Sequence, residues 1–251
     1  MTHDTLFATP REVTSIEDCY FYHVMELPGY PPTQGDWDLR VGVDEYLGDM
    51  SLQDQRVLEI GPASGFLTFE MEKRGAEVVC VEVPDEPGWD FVPYPPVKMK
   101  GIFEPRREVM RRLKNSFWFS HAAHRSNAKV YYGNAYELPE ALGSFDVALM
   151  GSVLLHCHSP LQIVEQCARK ARSLVITDMY YPELEGKAVC RLAPTPHEMN
   201  WDTWWHFSTD VLVQFLGVLG FSPPKVTTHL QPHRGTRYTL FTIVATRPSL
   251  D

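Results

Sequence analysis

With 251 residues, 44% hydrophobic and 22% charged, the chain has the composition of an ordinary globular protein long enough to bury one sizeable core. No run approaches the roughly 18 uninterrupted apolar residues of a membrane span, and the start at Met1 lacks the basic-then-apolar order of a signal peptide, so the sequence reads as cytoplasmic with no membrane partner. A net charge of −9 argues against a surface that tracks nucleic acid throughout.

The front, to about Gln55, is punctuated by Pro28-Gly29, Pro31-Pro32 and Gly35, and reads as a wrapped arm ending in a short helix near 43–50. From Arg56 the pattern becomes regular. Residues 56–60, Arg-Val-Leu-Glu-Ile, form a β-rich apolar run that stops at a glycine turn. Residues 66–74 then carry Phe66, Leu67, Phe69 and Met71 among charges, as an amphipathic helix does. Gly75 closes that helix and residues 77–83 supply a second strand, completing a βαβ unit.

A proline- and aromatic-rich loop over 84–96 leads to a basic amphipathic helix over 105–121 and a strand at 129–132. Further strands read at 145–150 and 173–177 around a helix at 161–171. A helix at 209–219 follows, then strands at 225–229 and 238–245 with nothing helical between them, which makes them an antiparallel pair. The fold expected is α/β: a Rossmann-like, doubly wound, mostly parallel seven-stranded sheet with an antiparallel last strand.

The turn Glu59-x-Gly61-x-x-x-Gly65 lies where such a sheet binds its ligand, and Glu82 ends the next strand twenty-one residues after Gly61. An acid at that distance accepts hydrogen bonds from ribose hydroxyls. Pyrophosphate sites expose bare amides, whereas this turn has Pro62, which lacks an N–H, and Ala63 where a middle glycine would stand. Glu59 would repel a pyrophosphate and could help hold a cation. The turn therefore points to a phosphate-free nucleoside cofactor, S-adenosyl-L-methionine.

These residues resemble class I methyltransferases, and in particular the branch of the tRNA uridine-5-oxyacetic acid carboxymethyltransferase and its smaller relatives. The matching stretches are Gly35-Asp36-Trp37-Asp38, residues 56–61 with Ser64-Gly65-Phe66, residues 71–76, and 153–161 around His156-Cys157-His158-Ser159-Pro160. By that resemblance Gly61, Ala63 and Gly65 line the methionine part and Glu82 the ribose. Asn134, Ala135 and Tyr136 border the adenine, Ser152 and Val153 lie under the sulfonium, and Trp37 covers the cofactor. Residues 1–55 would be the covering arm and 56–251 the methyltransferase domain, with a substrate-lid insertion around 180–207. The tyrosine with which the carboxymethyl-transferring enzyme holds its extra carboxylate is Leu155 here, and the lysine falls near Val41 or Gly42, so the resemblance implies the ordinary cofactor unless Arg40 or Arg237 substitutes.

Two histidines are candidates to position or deprotonate an acceptor: His156, beyond the fourth strand, and His206. His156 reads equally as a loop-shaping residue before Pro160. His206 sits in residues 200–207, which hold three of the six tryptophans. With Tyr180, that density makes Trp204 and Trp205 candidate substrate walls, or else a hydrophobic plug between insertion and core. No metal is expected: His121/His124 and His156/His158 are isolated pairs, and the five cysteines are scattered, without a Cys-x-x-Cys.

Between Lys98 and Lys129 nine basic residues face two acidic ones. The helix there reads as a solvated charged face, or as a docking surface for RNA or an acidic carrier protein. Three functions fit. The first is methyl transfer to an oxygen or nitrogen of a small-molecule acceptor; the second is modification of tRNA, which net charge disfavours; the third is a non-catalytic binding module on the same scaffold. Nothing in the pattern bears on oligomeric state.

Overall fold

The computed structural model describes residues 6–85 and 89–248. The chain start and residues 86–88 of the proline-rich loop lie outside the described residues. Strands β1 (Arg56–Ile60), β2 (Glu77–Glu82), β3 (Lys129–Tyr132), β4 (Phe145–Gly151), β5 (Ala171–Met179), β8 (Lys225–His233) and β9 (Thr236–Thr246) build one sheet in the order β3-β2-β1-β4-β5-β9-β8. β1 to β5 are parallel, and β9 runs antiparallel to both β5 and β8. Strands β6 (Cys190–Leu192) and β7 (Trp205–Phe207) form a separate antiparallel ribbon within the insertion. The period-two signal of three-residue strands is too short to be read in sequence.

Both faces of the sheet are buried, and this is why β1 and β2 read as continuous apolar runs. Val57, Val78, Cys80, Val147 and Leu149 pack on one side; Leu58, Val79, Val81, Ala148 and Met150 pack on the other. The first side is covered by α2 (Phe66–Lys73), α4 (Phe103–His124) and the arm, the second by α5 (Pro160–Lys170) and α6 (Thr209–Val218). Two further single-turn helices, α1 (Val43–Tyr46) and α3 (Pro96–Met99), precede β1 and α4. β8 and β9 extend to His233 and Thr236 and meet in a two-residue turn. Arg234 and Gly235 both have positive φ there, the geometry whose twist suits a tight hairpin.

The arm runs over the carboxyl ends of the strands. Trp37 bridges His23 on one side and His233 of the hairpin on the other; its ring centre is 4.5 Å from that of His233, and its Nε1 donates to Tyr22 Oη at 3.0 Å. Asp36 pairs with Arg234 at 2.9 Å and accepts from Tyr20 Oη at 2.6 Å. Under this arm His23 is buried against Ser64 of the glycine turn, its Nδ1 3.2 Å from Ser64 Oγ.

Burial pushes the His23 imidazole down to about 4. Between that value and the ordinary 6.5 the unfolded chain binds a proton that the folded chain refuses. The stabilising contribution is therefore complete above pH 6.5 and is lost as pH falls towards 4, about 3 kcal/mol in all. Glu59 and Asp178 are buried carboxyls raised to about 7 and act in the opposite sense over about pH 4 to 7. The expected result is therefore a difference: the stability gap between wild type and His23→Gln, from urea unfolding, shrinks by about 2 kcal/mol between pH 7 and pH 4.5. A gap that does not change with pH would contradict the burial of a neutral His23.

Candidate functional site

A cavity of about 590 Å³ opens at the carboxyl ends of β1, β2 and β4, where the strand order reverses about β1. Its floor is the glycine turn. Gly61 (φ +72°) extends β1, its amide donating to Val81 O at 2.9 Å. A Cβ on Gly61 would stand 2.9 Å from Val153 Cγ2, so this glycine lets the loops after β1 and β4 close on each other. Ala63 (φ +52°) and Ser152 (φ +49°) also hold left-handed backbone, unusual for residues with a side chain, and both line the cavity.

Two buried carboxylates stand at this end. Glu59 accepts from Thr68 Oγ1 at 2.5 Å and lies 3.6 Å from Cys80 Sγ; burial outweighs those donors and raises it to about 7. Glu82 accepts from the Val83 amide at 2.8 Å. Burial pushes its carboxyl up against the pull of Lys114 and of the Val83 and Ala63 amides. Lys114, buried on α4, donates to Val83 O and Asp85 Oδ1, both at 2.7 Å, and so anchors the loop after β2. Beyond β3, Asn134, Ala135 and Tyr136 form the next wall, with Tyr136 Oη donating to Asp90 Oδ2.

His156, in the loop between β4 and α5, also lines the cavity. Its Nδ1 is 2.6 Å from the Asp202 carbonyl oxygen, which can only accept, so the proton sits on Nδ1 and Nε2 keeps a free lone pair. Burial lowers the imidazole, as does Arg106, against the Asp202 carbonyl. The loop is pinned from the insertion: Leu155 O accepts from Trp204 N at 2.8 Å, and the Asp202 carbonyl holds His156.

Of the residues singled out in the sequence, Trp37, Glu59, Gly61, Ala63, Glu82, Asn134, Ala135, Tyr136, Ser152, Val153 and His156 meet at this cavity. Gly65 stands behind it. A Cβ there would be 2.4 Å from Phe69 Cε2, and its φ of +90° starts α2, so its role is packing and turning. His206 is on the β6–β7 ribbon, stacked on Tyr181 at 4.2 Å and bonded to Arg191. Tyr180 donates to Glu185. Trp204 Nε1 donates to Asp90 O at 2.6 Å and Trp205 Nε1 to His158 O at 3.1 Å, so these two rings staple the insertion to neighbouring loops.

Besides Trp37, the tryptophans that line the cavity are Trp89 and Trp201. Arg106, Tyr22, Tyr46 and Asp202 line it as well and were not singled out. Arg106 was legible only as one charge of a basic helix, and Tyr22 and Tyr46 lie in the arm, where no local pattern marks them. Among the described residues no group of three or more His, Cys, Asp or Glu side chains gathers as a metal site, and no helix is long and apolar enough to cross a membrane.

No protein-family model and no curated protein matches the chain. Solved structures do. The N-terminal domain of EvdMO1, crystallised in the presence of SAH and D-fucose, superposes with a TM-score of 0.59 at 16% identity over 92% of this chain and 93% of that one. Magnesium protoporphyrin IX methyltransferase from Synechocystis PCC 6803 with bound SAH gives 0.53 at 16% identity, over 84% and 82%. A SAM-dependent methyltransferase from Methanosarcina mazei gives 0.52 at 16% identity, over 78% and 93%. The fold is thus the Rossmann-like fold of class I methyltransferases, with its seven-stranded sheet and antiparallel strand.

Proposed function

We propose that this fold is used here as it is in the methyltransferases that share it: the chain binds S-adenosylmethionine and transfers its methyl group to an oxygen or nitrogen of a small-molecule acceptor. The observation that carries the reading is Glu82, a buried carboxylate at the end of β2 with Oε1 on the Val83 amide and, among the described residues, no side-chain hydrogen-bond donor. Ribose hydroxyls would complete it.

The rest of the lining fits the same group. Gly61, Ala63 and Glu59 would take the methionine end, where Glu59 faces a cation; Asn134 to Tyr136 would border the adenine; and Ser152 and Val153 would lie beneath the sulfur. The cofactor supplies a methyl group already activated by its sulfonium. The chain then has to align the acceptor, exclude water and receive a proton. His156 Nε2, bare and on a loop pinned by Leu155 and Asp202, is placed to hold that proton.

A small acceptor is favoured over tRNA by the basic helix itself. Arg111 pairs with Glu108 at 2.7 Å, Arg112 is spent on the carbonyls of Glu17 and Cys19, and Lys114 is buried. Few of these charges are left to meet phosphates. The carboxymethyl-transferring branch is not favoured, since Arg40 is engaged by Asp38 and Glu26. Titration calorimetry with S-adenosylmethionine and S-adenosylhomocysteine tests the proposal: micromolar-range binding of both is expected, and absence of heat with either overturns it.

A further inference from the structure

Besides the two buried carboxylates, a cation lines the cavity. Arg106, on the first turns of α4, lines it half-buried, with its guanidinium carbon 5.3 Å from the centre of the Trp201 ring. Among the described residues no carboxylate stands within ion-pair distance of Arg106. The acids nearest in sequence are spent on other arginines: Glu104 on Arg107 at 3.3 Å and Glu108 on Arg111 at 2.7 Å.

Two further donors at the cavity also lack protein acceptors. Trp89 Nε1 is buried with no hydrogen-bond partner among the described residues. Tyr22 Oη accepts from Trp37 Nε1 and, among the described residues, has no acceptor for its own proton. A buried donor left unmatched costs about 1–3 kcal/mol; Trp89 Nε1 is one, and Tyr22 and the half-buried Arg106 offer two more donors to a ligand that accepts. The acids on this side are engaged or turned to other work: Asp90 Oδ2 takes the Tyr136 hydroxyl and the His158 amide, and Asp202 accepts from Thr203 Oγ1 at 3.5 Å while its carbonyl holds His156.

We propose that the methyl acceptor of this cavity carries an oxyanion, a carboxylate or a phosphate, which Arg106 receives, together with a flat apolar body that lies against Trp201 and Phe91. This rests on the methyltransferase reading above. Planar guanidinium takes such a group bidentately, and the indole face against which Arg106 packs keeps it in place. Glu59 and Glu82 line the same cavity and disfavour an anion beside them, which directs the oxyanion to Arg106. Arg106 and His156 line the same cavity, and the guanidinium charge contributes to lowering the imidazole.

The test is a matched set of probes on the full chain, with and without saturating S-adenosylhomocysteine: 4-hydroxybenzoate, phenyl phosphate and the neutral 4-hydroxybenzamide. Binding is followed by quenching of tryptophan fluorescence. At least one acid is expected to bind about tenfold or more tighter than the amide. Arg106→Gln should bring acid and amide within about twofold of each other, and Arg106→Lys should restore part of the difference. The tighter of the two acids identifies the oxyanion. Equal binding of acids and amide, or no binding of either acid at millimolar concentration, overturns the proposal. So does a loss of S-adenosylhomocysteine affinity in Arg106→Gln, which would give Arg106 to the cofactor. If wild type binds acids over the amide but no S-adenosylhomocysteine, the methyltransferase reading fails and the oxyanion site stands.

Discussion

Glu82→Ala is expected to weaken S-adenosylhomocysteine binding about 100-fold or more while leaving the protein folded and no less stable. Two ribose hydroxyls donating to one carboxylate are charge-assisted hydrogen bonds, each about 1.5–3 kcal/mol, and every 1.4 kcal/mol is a factor of ten. The stability half of the prediction follows from the direction in which the side chain is shifted. Burial raises the Glu82 carboxyl despite Lys114 and two amides, so the folded chain holds the charge at a cost. A group of this kind is kept for a ligand rather than for folding, and its removal relieves strain.

Glu82→Gln retains the shape and one acceptor, and should fall between the two. Calorimetry with S-adenosylhomocysteine and thermal melts of the same preparations separate the two effects. Affinity within threefold of wild type in Glu82→Ala would remove the ribose assignment and, with it, the main support for the cofactor. A fall in melting temperature that tracks the fall in affinity would instead make Glu82 a structural residue.

The second large effect is expected at His156. Replacing it by glutamine should lower kcat for methyl transfer by about 10²- to 10⁴-fold, the range for loss of a positioned base, with affinity for S-adenosylhomocysteine within about twofold. The pH dependence carries the sign. Because the neutral imidazole is the active form, activity is lost as pH falls through its titration. Burial and the nearby Arg106 place that midpoint below the ordinary 6.5.

Wild-type kcat/KM should therefore be flat above about pH 6.5 and fall on the acid side, and the acid limb should vanish in His156→Gln. An unchanged kcat in the variant would leave His156 as the loop-shaping residue that its place before Pro160 also allows. A fall in kcat with the acid limb intact would transfer the proton to another group.

Strand and helix order was legible because both faces of the sheet are covered and helices such as α5 bury one apolar stripe, so period and burial agree. The short ribbon of β6 and β7 escaped, since three residues carry no measurable period. The cofactor end of the cavity was legible for a different reason. Glu59, Gly61, Ala63 and Glu82 lie within one βαβ unit whose geometry is local, and the spacing along the chain already states their separation in space.

The acceptor end was not legible, because its walls are joined by long-range contacts. Trp204 and Trp205 read as lid residues on density alone. The fold instead turns Trp204 onto Asp90, 114 residues away, and Trp205 onto His158, and brings Trp201 to the cavity. His206, in the same cluster, is carried off by β7 to Tyr181. His156 was visible as a candidate, but which of its nitrogens is bare depends on the carbonyl of Asp202, 46 residues on. Arg106 was one positive charge among nine until the structure showed its neighbours paired and Arg106 unpaired at the cavity. Local pattern thus determined the sheet and the turn that ends β1. Tertiary packing decided which side chains face the acceptor and in what protonation state, because facing and burial are properties of the closed chain rather than of any segment.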